Sequence, residues 1–392
     1  MVTAKVFCVI PRNLNFPPTR ADGVRVFEQC RSLSKAGFEV HLIYFGSTMN
    51  SSFTAIPLNI RFYPIQGEVS VSYLNFWGML RLFLNYCVFL FRLIGYIKTH
   101  LSTINKAVIH AHTPEGGVIG AILKFLLKLP LIYDPHDWYY EDWITEWIRM
   151  RKFIQGILCL TYRTLAVLLP IISDVTLVLN DFMLKKMGPT RKVIVPNYFM
   201  EENTVESKKS LSTIPGLIVF VGSIVRWQGV GLLLKAFSSI QKEKEDVSLW
   251  LVGDGEDIDH YKHLSSILKL RNVKFLGKVS RKEALKIISQ ADVCVVPFLP
   301  KRFCLTACPL KVLEYMSRHK KIVAADLPGI REILHNYNKA FFFQAGNEKA
   351  LSHAIQDALS TKIDEDSPST IERLRNTAIR NLLATYQYIL GA

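Results

Sequence analysis

The chain has 392 residues, of which 49% are hydrophobic and 21% charged, and its formal net charge is +15. This composition excludes a disordered or fibrous chain, and the length allows two domains of ordinary size with large cores. The basic charge favours an anionic partner, either a membrane surface, a phosphorylated substrate or a nucleic acid, and does not choose among them.

The cysteines and the hydropathy pattern indicate the cellular compartment of the chain. The seven cysteines are scattered without a CxxC pair, so we expect them to be reduced and to hold no metal. We expect no signal peptide, because Ala4–Ile10 is an apolar run of strand length without a charged leader. Two longer apolar stretches, Tyr73–Ile97 and Ile154–Ser173, contain arginine or proline and lack the uninterrupted run of a spanning helix. They are predicted to be buried helices or helices that lie at a membrane interface.

The first half of the chain alternates strands and helices, as in an open α/β sheet. Its predicted strands are Lys5–Ile10, Glu39–Phe45, Ile60–Ile65, Ala107–His110, Leu131–Tyr133, Asp174–Leu179 and Val193–Pro196. Its predicted helices are Val24–Ala36, Tyr73–Ile97, Gly117–Leu127, Trp138–Leu169 and Asp181–Met187. The loop before the first helix contains Gly23 but no GxGxxG, so it is unlike a dinucleotide-binding turn.

Polar segments follow two neighbouring strands of this half. The strand Ala107–His110 leads into His112–Gly117, and the strand Leu131–Tyr133 ends in Asp134–Asp137. Because ligands of open α/β sheets bind at the carboxyl ends of the strands, we expect these two histidine-containing loops to line a site. The alternative is a structural histidine in the first loop and a helix-capping aspartate in the second.

The second half repeats the alternation after a polar linker, 201–215. Its predicted strands are Leu217–Val221, Val247–Val252, Val273–Leu276, Asp292–Phe298 and Lys321–Ala325. Its predicted helices include Val230–Lys242, Arg281–Gln290 and one that begins at Pro309. A last amphipathic helix is predicted from Ser367, where Ser-Pro reads as an N-cap followed by the first helical residue.

The helix that begins at Pro309 carries the clearest candidate site. It follows a buried strand, so its N-terminus lies at a strand's carboxyl end, where an anion is readily bound. Lys311 adds a positive charge in the first turn, and Glu314 lies one turn later, where a carboxylate accepts hydrogen bonds from hydroxyl groups. The pair suits a diphosphate and a ribose. The alternative is a solvated face of an amphipathic helix.

The order and spacing of four segments of the second half resemble the GT-B glycosyltransferases, in particular the retaining, nucleotide-sugar-dependent family 4 or group 1 type. The segments are VFVGSIVRWQGVGLLLKAF (219–237), LWLVGDGED (249–257), NVKFLGKVSRKEALKIISQADVCVVPF (272–298) and PLKVLEYMSRHKKIVAADLPGIREI (309–333). In the first half, GVRVFEQCRSLSKAGFEVHLI, IHAHTPEG and YDPHDW resemble the matching elements more weakly.

The resemblance implies an α/β architecture of two Rossmann-like, doubly wound domains that face each other across a cleft. The expected organisation is an acceptor-side domain at 1–200, the linker at 201–215, a nucleotide-sugar-binding domain at 216–366 and a C-terminal helix at 367–392. That helix is expected to pack back toward the first domain.

The resemblance also implies roles for individual residues. The catalytic residues are expected to be His112, Arg226 and Lys311, and His136 and Asp137 are expected on the acceptor side. The residues expected to bind the donor are Gly23, Ser223, Arg226, Gln228, Gly253, Pro309, Leu310, Lys311 and Glu314. Metal and cofactor are expected to be absent, since the nucleotide sugar is a co-substrate and no Asp-x-Asp sequence is evident near a strand end. Arg226 as a plain surface residue and Gly253–Gly255 as a plain turn are the alternatives.

The chain departs from the family pattern at two positions. The family often has two glutamates with seven residues between them, and Thr306 stands at the first of these positions when Glu314 is the second, which affects contacts with the donor sugar. Gln228 stands where a lysine usually precedes the helix glycine, and Arg226 is the residue that we expect to supply the missing charge.

These observations predict a cytoplasmic glycosyltransferase that moves a sugar from a UDP- or GDP-sugar to a glycan or lipid-linked acceptor, with retention and without a metal. The excess of basic residues favours peripheral attachment to an anionic membrane face. One alternative is a catalytically silent, nucleotide-sugar-binding or scaffolding subunit, as Thr306 and Gln228 suggest. Nucleic-acid binding is a third hypothesis, and no nucleic-acid partner is expected, because the sequence contains no recognised motif for it.

Overall fold

The computed structural model describes residues 4–14, 18, 20–46, 59–66, 76–101, 106–147, 152–199, 212–362 and 369–391. Two units follow from its internal contacts: unit 1 is residues 1–199 with 375–392, and unit 2 is residues 200–374. Most of the predicted linker and the Ser-Pro pair at the start of the predicted last helix lie outside the described residues.

Unit 1 is built on a seven-stranded parallel sheet. Its strands are β1 (Lys5–Asn13), β2 (Glu39–Phe45), β3 (Ile60–Ile65), β4 (Ala107–His112), β5 (Leu131–Asp134), β6 (Val175–Val178) and β7 (Lys192–Ile194). They lie in the order β3-β2-β1-β4-β5-β6-β7, so the direction of winding reverses between β1 and β4. The central strands are buried along their length, which explains their near-continuous apolar sequences.

Helices cover both faces of this sheet. The first six helices are α1 (Ala21–Lys35), α2 (Phe76–Leu101), α3 (Thr113–Leu127), α4 (Tyr140–Trp147), α5 (Lys152–Ile172) and α6 (Asp181–Lys186). One core cluster joins α1 to alternate residues of β1, such as Val6 and Cys8, and a second joins α2, α3 and α5 to the residues between them, such as Phe7 and Val9. Side chains alternate across a strand, so the two clusters lie on opposite faces of the sheet.

Unit 2 has a six-stranded parallel sheet of the same kind. Its strands are β8 (Leu217–Val221), β9 (Ser248–Val252), β10 (Val273–Gly277), β11 (Val293–Val296), β12 (Lys321–Ala325) and β13 (Ala340–Phe343), in the order β10-β9-β8-β11-β12-β13. Its helices are α7 (Val230–Glu243), α8 (Ile258–Ile267), α9 (Arg281–Gln290), α10 (Arg302–Leu305), α11 (Leu310–Ser317), α12 (Pro328–Leu334) and α13 (Glu348–Ser360). The winding reverses between β8 and β11, and this is where an open sheet leaves a crevice for a ligand.

The last helix, α14 (Ser369–Leu390), completes the core of unit 1. Ala378, Leu382 and Tyr386 are fully buried in the cluster that contains α1. The Tyr386 hydroxyl lies 2.8 Å from Nδ1 of His110 on β4, and two elements far apart in sequence therefore share one buried hydrogen bond.

At four places near the candidate sites the structure differs from the sequence predictions. Helix α1 begins at Ala21, so Gly23 lies in its first turn rather than in the preceding loop. Helix α3 begins at Thr113, because Pro114 is favourable in a first helical turn and the glycines after it let the helix approach the sheet. Pro309 has a ψ of 128°, so it is the N-cap of α11 and not its first residue. The segment 299–308, between the predicted strand Asp292–Phe298 and the predicted helix start at Pro309, contains the short helix α10.

The two apolar stretches form helices that are mostly exposed. Helix α2 buries one stripe, which includes Phe89, Leu93 and Ile97, whereas only 17% of its most apolar window is buried. The predicted helix over 138–169 is two helices, α4 and α5, and the apolar window of α5 is 11% buried. Both α2 and α5 are long and apolar enough to cross a membrane by length and composition alone. The core-packing interpretation is therefore wrong for most of their surface.

Candidate active site

In unit 2, the loops after three adjacent strands are held together by backbone hydrogen bonds. The Gly222 N–H donates to the carbonyl of Val252, and the Gly253 N–H donates to that of Gly277. A Cβ at Gly253 would collide with the carbonyl of Gly222, which is why the GDG turn needs glycine there. The carboxyl ends of β8, β9 and β10 consequently form one closely packed edge.

Lys311 lies under this edge, buried in the first turn of α11. Its Nζ donates a 2.7 Å hydrogen bond to Oε1 of Gln228, and it sits 4.1 Å from the centre of the Phe220 ring. A Cβ at Gly222 would collide with the lysine Nζ. Burial lowers the pKa of Lys311 to about 7, although Glu314 opposes the fall. The Lys311 amine, whose partners here are a neutral amide and an aromatic face, is therefore charged below about pH 7 and loses its charge above it.

Glu314 lies one turn further along α11 and is paired with Arg281 at the start of α9. The Arg281 Nε donates to Oε1 of Glu314 over 3.1 Å, and the Glu314 side chain is 15% exposed. Burial raises the pKa of the Glu314 carboxyl, and Arg281 acts in the opposite direction. An ionised carboxylate has spare lone pairs beyond this one bond, so it can accept hydrogen bonds from neutral hydroxyl groups.

The other predicted residues of unit 2 differ in their surroundings. Ser223 and Arg226 are exposed, and Gln228 rather than Arg226 contacts the buried lysine. Pro309 and Leu310 are half-buried at the start of α11. These residues surround one strand edge, and the sequence prediction that Arg226 replaces the missing lysine stays a prediction.

Thr306 is fully buried at the end of α10. Its hydroxyl donates to the carbonyl of Phe303 over 3.2 Å. A threonine at this position therefore bonds to its own turn, whereas the glutamate of the family pattern carries a charge that would need a partner or a ligand.

In unit 1, the predicted histidines meet at the carboxyl ends of β4 and β5. His112 is paired in register with Asp134, and its Nδ1 lies 3.0 Å from Nε2 of His136. The same Nδ1 lies 3.6 Å from Oδ2 of Asp134. His136 has a φ of +66°, a strained conformation that aims its ring back toward His112. Sequence reasoning had placed both histidines at one sheet edge, and the structure brings them into contact.

Asp134 lies at the centre of this group, and the buried Arg25 compensates its negative charge. Arg25 of α1 donates to both carboxylate oxygens, over 2.9 and 3.1 Å, and Gln29 donates to Oδ2 over 2.9 Å. The remaining Arg25 nitrogen donates to the Val195 carbonyl and the Asn197 side chain. This bidentate pair fixes the carboxylate, which in turn positions the histidines.

Burial and this charge balance set the protonation states. Burial lowers the pKa of His112, and it lowers that of His136 to about 3, while Asp134 opposes both changes. Burial raises the pKa of Asp134, but Arg25 and the two histidines outweigh it and the pKa falls well below its usual range. Both imidazoles are thus neutral, so one donates to the other, and Nε2 of His112 has no hydrogen-bond partner among the described residues.

Two groups of potential metal ligands occur among the described residues, one of His112, Asp134 and His136 and the other of Cys8, His110 and His112. Neither fits a divalent cation well. The Asp134 carboxylate already binds a buried guanidinium, and the Cys8 pKa is raised well above its usual value by a hydrogen bond to Cys30 and by burial, which keeps the thiol protonated.

Gly23 and Asp137 are the other two predicted site residues of unit 1. Gly23 is buried in the first turn of α1, where its N–H donates to the side chain of Asp22. Asp137 is half-buried, and its Oδ1 accepts from the N–H of Trp138 over 2.7 Å. That bond is a local turn interaction, three residues before α4 begins.

Sequence reasoning missed three charged residues of these sites. Arg25 and Arg281 are ordinary basic residues near helix starts, and nothing in their spacing identifies a distant partner. Asp134 had a usable signal, since it ends a predicted buried strand beside His136.

Two family models match the chain. Glycosyl transferases group 1 matches residues 215–361 in unit 2, and Glycosyltransferase Family 4 matches residues 23–170 in unit 1. Together the matches contain every predicted site residue.

Curated relatives agree over parts of their length. The D-inositol 3-phosphate glycosyltransferase of Corynebacterium glutamicum is 22% identical over 293 residues, covering 68% of this chain and 66% of the relative. The phosphatidylinositol N-acetylglucosaminyltransferase GPI3 subunit of Saccharomyces cerevisiae is 24% identical over 217 residues, covering 52% and 47%. Two uncharacterized glycosyltransferases of Methanocaldococcus jannaschii also match, and the match spans only 30% and 36% of their length.

Solved structures resemble the whole chain. A sucrose-phosphate synthase from Thermosynechococcus elongatus aligns with a TM-score of 0.68 and 16% identity, over 99% of this chain and 96% of that one. HepE of Anabaena, solved with UDP and glucose, aligns with a TM-score of 0.63 and 16% identity, over 100% and 96%. At this identity the likeness concerns the fold. With the two family matches, it shows that the chain belongs to the group 1, family 4 glycosyltransferases, which are sugar-transferring enzymes of the GT-B fold.

Proposed function

We propose that this chain transfers a sugar from a nucleoside-diphosphate sugar, a UDP- or GDP-sugar, to a glycan or lipid-linked acceptor, with retention of configuration and without a metal or cofactor. The observation that carries the proposal is the pair of charged residues on α11, the buried Lys311 and the partly buried Glu314. Lys311 and Glu314 stand one turn apart at the edge where the winding of the sheet reverses. A cation and a carboxylate at this spacing suit a diphosphate and a ribose diol.

Lys311 would bind the diphosphate together with the backbone N–H groups at the start of α11. Negative charge grows on the departing phosphate as the sugar bond breaks, and a fixed ammonium beside a helix N-terminus stabilises that charge. The Gln228 amide oxygen holds the lysine in place over 2.7 Å without competing as a counter-ion. Arg226 is exposed near the same turn, where it would reach the outer phosphate oxygens.

Glu314 would accept hydrogen bonds from the ribose hydroxyls. Arg281 holds the carboxylate from one side and leaves its other lone pairs for the ligand. HepE, which shares this fold, was solved with UDP and glucose, and this supports a uridine nucleotide as the first donor to test.

In unit 1, His112 would act on the sugar. Its Nε2 has no hydrogen-bond partner among the described residues, and its Nδ1 is held by His136 and Asp134. A neutral imidazole held in this way can donate to or accept from a sugar hydroxyl or the acceptor. His136 and Asp137 would shape the acceptor side. Two of the relatives, the D-inositol 3-phosphate glycosyltransferase and the phosphatidylinositol N-acetylglucosaminyltransferase subunit, support a polyol or lipid-linked acceptor.

The second candidate is a silent nucleotide-sugar-binding subunit. Thr306 favours it, because the threonine bonds its own turn where the family often has a glutamate near the donor sugar. Binding of the donor without turnover, with acceptors of several classes present, would favour this candidate.

The first experiment is thermal unfolding with UDP, GDP, ADP, CMP, NAD and a single-stranded oligonucleotide. A ligand present at about a hundred times its Kd adds about 2.7 kcal/mol of stability, which is a visible shift. We expect a shift with UDP or GDP alone. Glu314→Ala should lose both the shift and sugar transfer while the chain stays folded, whereas Glu283→Ala, an exposed glutamate on α9, should keep both. Full activity of Glu314→Ala would refute the assignment.

A further inference from the structure

The exposed apolar residues of this chain are concentrated on one face. Among the described residues, twelve of the fifteen large hydrophobic side chains that are exposed belong to α2, α3 and α5. They include Phe83 and Phe91 on α2, Phe125 and Leu126 on α3, and Leu160 and Ile171 on α5. Apolar patches of this extent are rare on soluble monomers and mark a surface that binds something.

The three helices lie side by side on the same side of the unit 1 sheet. Phe89 of α2, Leu123 of α3 and Leu169 of α5 are all buried in one core cluster with residues of that sheet. Their opposite, exposed stripes therefore point away from the sheet together. We name this surface, the outer faces of α2, α3 and α5, the apolar face.

Charge distinguishes the occupants that such a face can have. Helices α2 and α5 contain no aspartate or glutamate but carry basic residues, among them Arg81, Arg92 and Arg163, all exposed. The one acid of α3, Glu115, is turned inward to accept from Tyr162 over 2.6 Å and to pair with Arg12. Among the described residues of these three helices, the charges left unpaired are positive. Such an apolar face matches an anionic lipid surface, with its acyl boundary for the aromatic rings and its headgroups for the arginines.

The same charge pattern argues against two other arrangements. A second copy of the chain would bring like charges together around two identical apolar faces. Spanning the bilayer would require α2 and α5 to leave the sheet, although Phe89, Leu93 and Leu169 are fixed in its core. The helices are positioned to lie in the plane of the interface.

We propose that the apolar face docks unit 1 on the surface of an anionic phospholipid bilayer, with α2, α3 and α5 lying in the interfacial plane. The aromatic and leucine side chains enter the acyl boundary, and Arg81, Arg92 and Arg163 contact phosphate groups. Docking would bring the enzyme to a lipid-linked acceptor, and in this respect it rests on the proposed function. Membrane binding is nevertheless a property of unit 1 that can be measured without turnover.

The chain offers its own reporter for the test. Cys87 is exposed on α2 beside Val88, Cys159 on α5 is half-buried, and the other five cysteines are buried. In a Cys159→Ser background, an environment-sensitive fluorophore on Cys87 should shift to the blue when vesicles of equal parts phosphatidylglycerol and phosphatidylcholine are added. Vesicles of phosphatidylcholine alone should give a much smaller shift, and salt should weaken the response to the anionic ones.

Matched substitutions separate the apolar and the basic contributions. Phe91→Glu and Leu160→Glu should each weaken vesicle binding in co-sedimentation by about tenfold or more, because each places a carboxylate at the acyl boundary. Ile267→Glu, at an equally exposed isoleucine of α8 in unit 2, should leave binding unchanged. Arg92→Gln should weaken binding to the anionic vesicles only, whereas the exposed Lys262→Gln should not.

Three results would overturn the proposal. They are no fluorescence shift with anionic vesicles, Glu variants that bind as tightly as the parent chain, and light scattering that shows a dimer which Phe91→Glu dissociates. The UDP-dependent rise in unfolding temperature, measured on the same variants, keeps a failure of docking apart from a failure of the proposed function. A variant that loses vesicles but keeps UDP supports docking through the apolar face.

Discussion

Removing Arg25 should destabilise unit 1 far more than removing an exposed arginine. The side chains of Arg25 and Asp134 are 3% and 1% exposed, and the guanidinium donates to both carboxylate oxygens, a backbone carbonyl and an amide. In Arg25→Met the Asp134 charge remains buried with Gln29 and two neutral histidines. Breaking a buried pair from one side costs about 3–5 kcal/mol, because the second charge loses its compensation.

Calorimetric unfolding measures this cost. For a unit of this size, about 3–5 kcal/mol corresponds to a fall of about 10 °C in the Tm of unit 1. Arg331→Met is the control: that arginine is paired with Asp326 at the surface, where a pair contributes about 0–1 kcal/mol. Hydrogen exchange at the amides of β4 and β5 assigns the change to unit 1.

A double substitution tests the cause of this loss of stability as well as its size. Arg25→Met with Asp134→Leu removes both charges, so it should recover a large part of the stability that Arg25→Met loses. The reasoning would be refuted if Arg25→Met lost no more than the Arg331→Met control. It would also be refuted if the effects of the two substitutions simply added, so that the double variant were less stable than Arg25→Met by as much as Asp134→Leu alone destabilises the parent chain.

Three further predictions follow from the same structure. Burial lowers the pKa of His136 from 6.5 to about 3, so between these values the unfolded chain binds a proton that the folded chain does not. Unit 1 should therefore lose stability as the pH falls from 6.5 toward 3. Calorimetry should show a smaller loss for His136→Gln at each pH. Because the pKa of Lys311 is about 7, UDP affinity should fall as the pH rises through that value, and titration calorimetry should find the dependence absent in Lys311→Met but present in Lys262→Met. Gly229→Ala should lower the free energy of unfolding, measured with denaturant, by about 2 kcal/mol more than Gly277→Ala. Both glycines have a positive φ, but a Cβ at Gly229 would collide with a carbonyl, whereas one at Gly277 meets nothing. Equal losses would contradict this prediction.

The strands were predictable because each has a single dominant signal. Glu39–Phe45, Ile60–Ile65 and Leu217–Val221 have the bounds that their apolar runs predict, and a parallel strand that is almost entirely buried, such as Glu39–Phe45, leaves little ambiguity. Helix starts were less predictable. The run after His112 looks like a loop because it contains Pro114 and several glycines, yet these residues favour a first turn and a close helix-to-sheet contact.

Several residues of the candidate site were predictable, but the ion pairs that they form were not. His112 and His136 follow two neighbouring strands, so their contact follows from the topology. The partners of Asp134 and Glu314 do not, because Arg25 is 109 residues away from the first and Arg281 is 33 residues away from the second. A charge at the start of a helix does not reveal which distant carboxylate it will meet, and only the packed sheet decides that.

The position of α14 in the core of unit 1 sets an order for folding during synthesis. Ala378, Leu382 and Tyr386 fill the cluster around β1 and α1, yet the ribosome adds them after all of unit 2. Until then His110 lacks the hydroxyl of Tyr386, and the apolar residues of the sheet on that face are covered by α1 without the side chains of α14. Unit 1 therefore begins to fold first and completes its fold last. A nascent chain stalled before α14 should bind chaperones better than one stalled just after it.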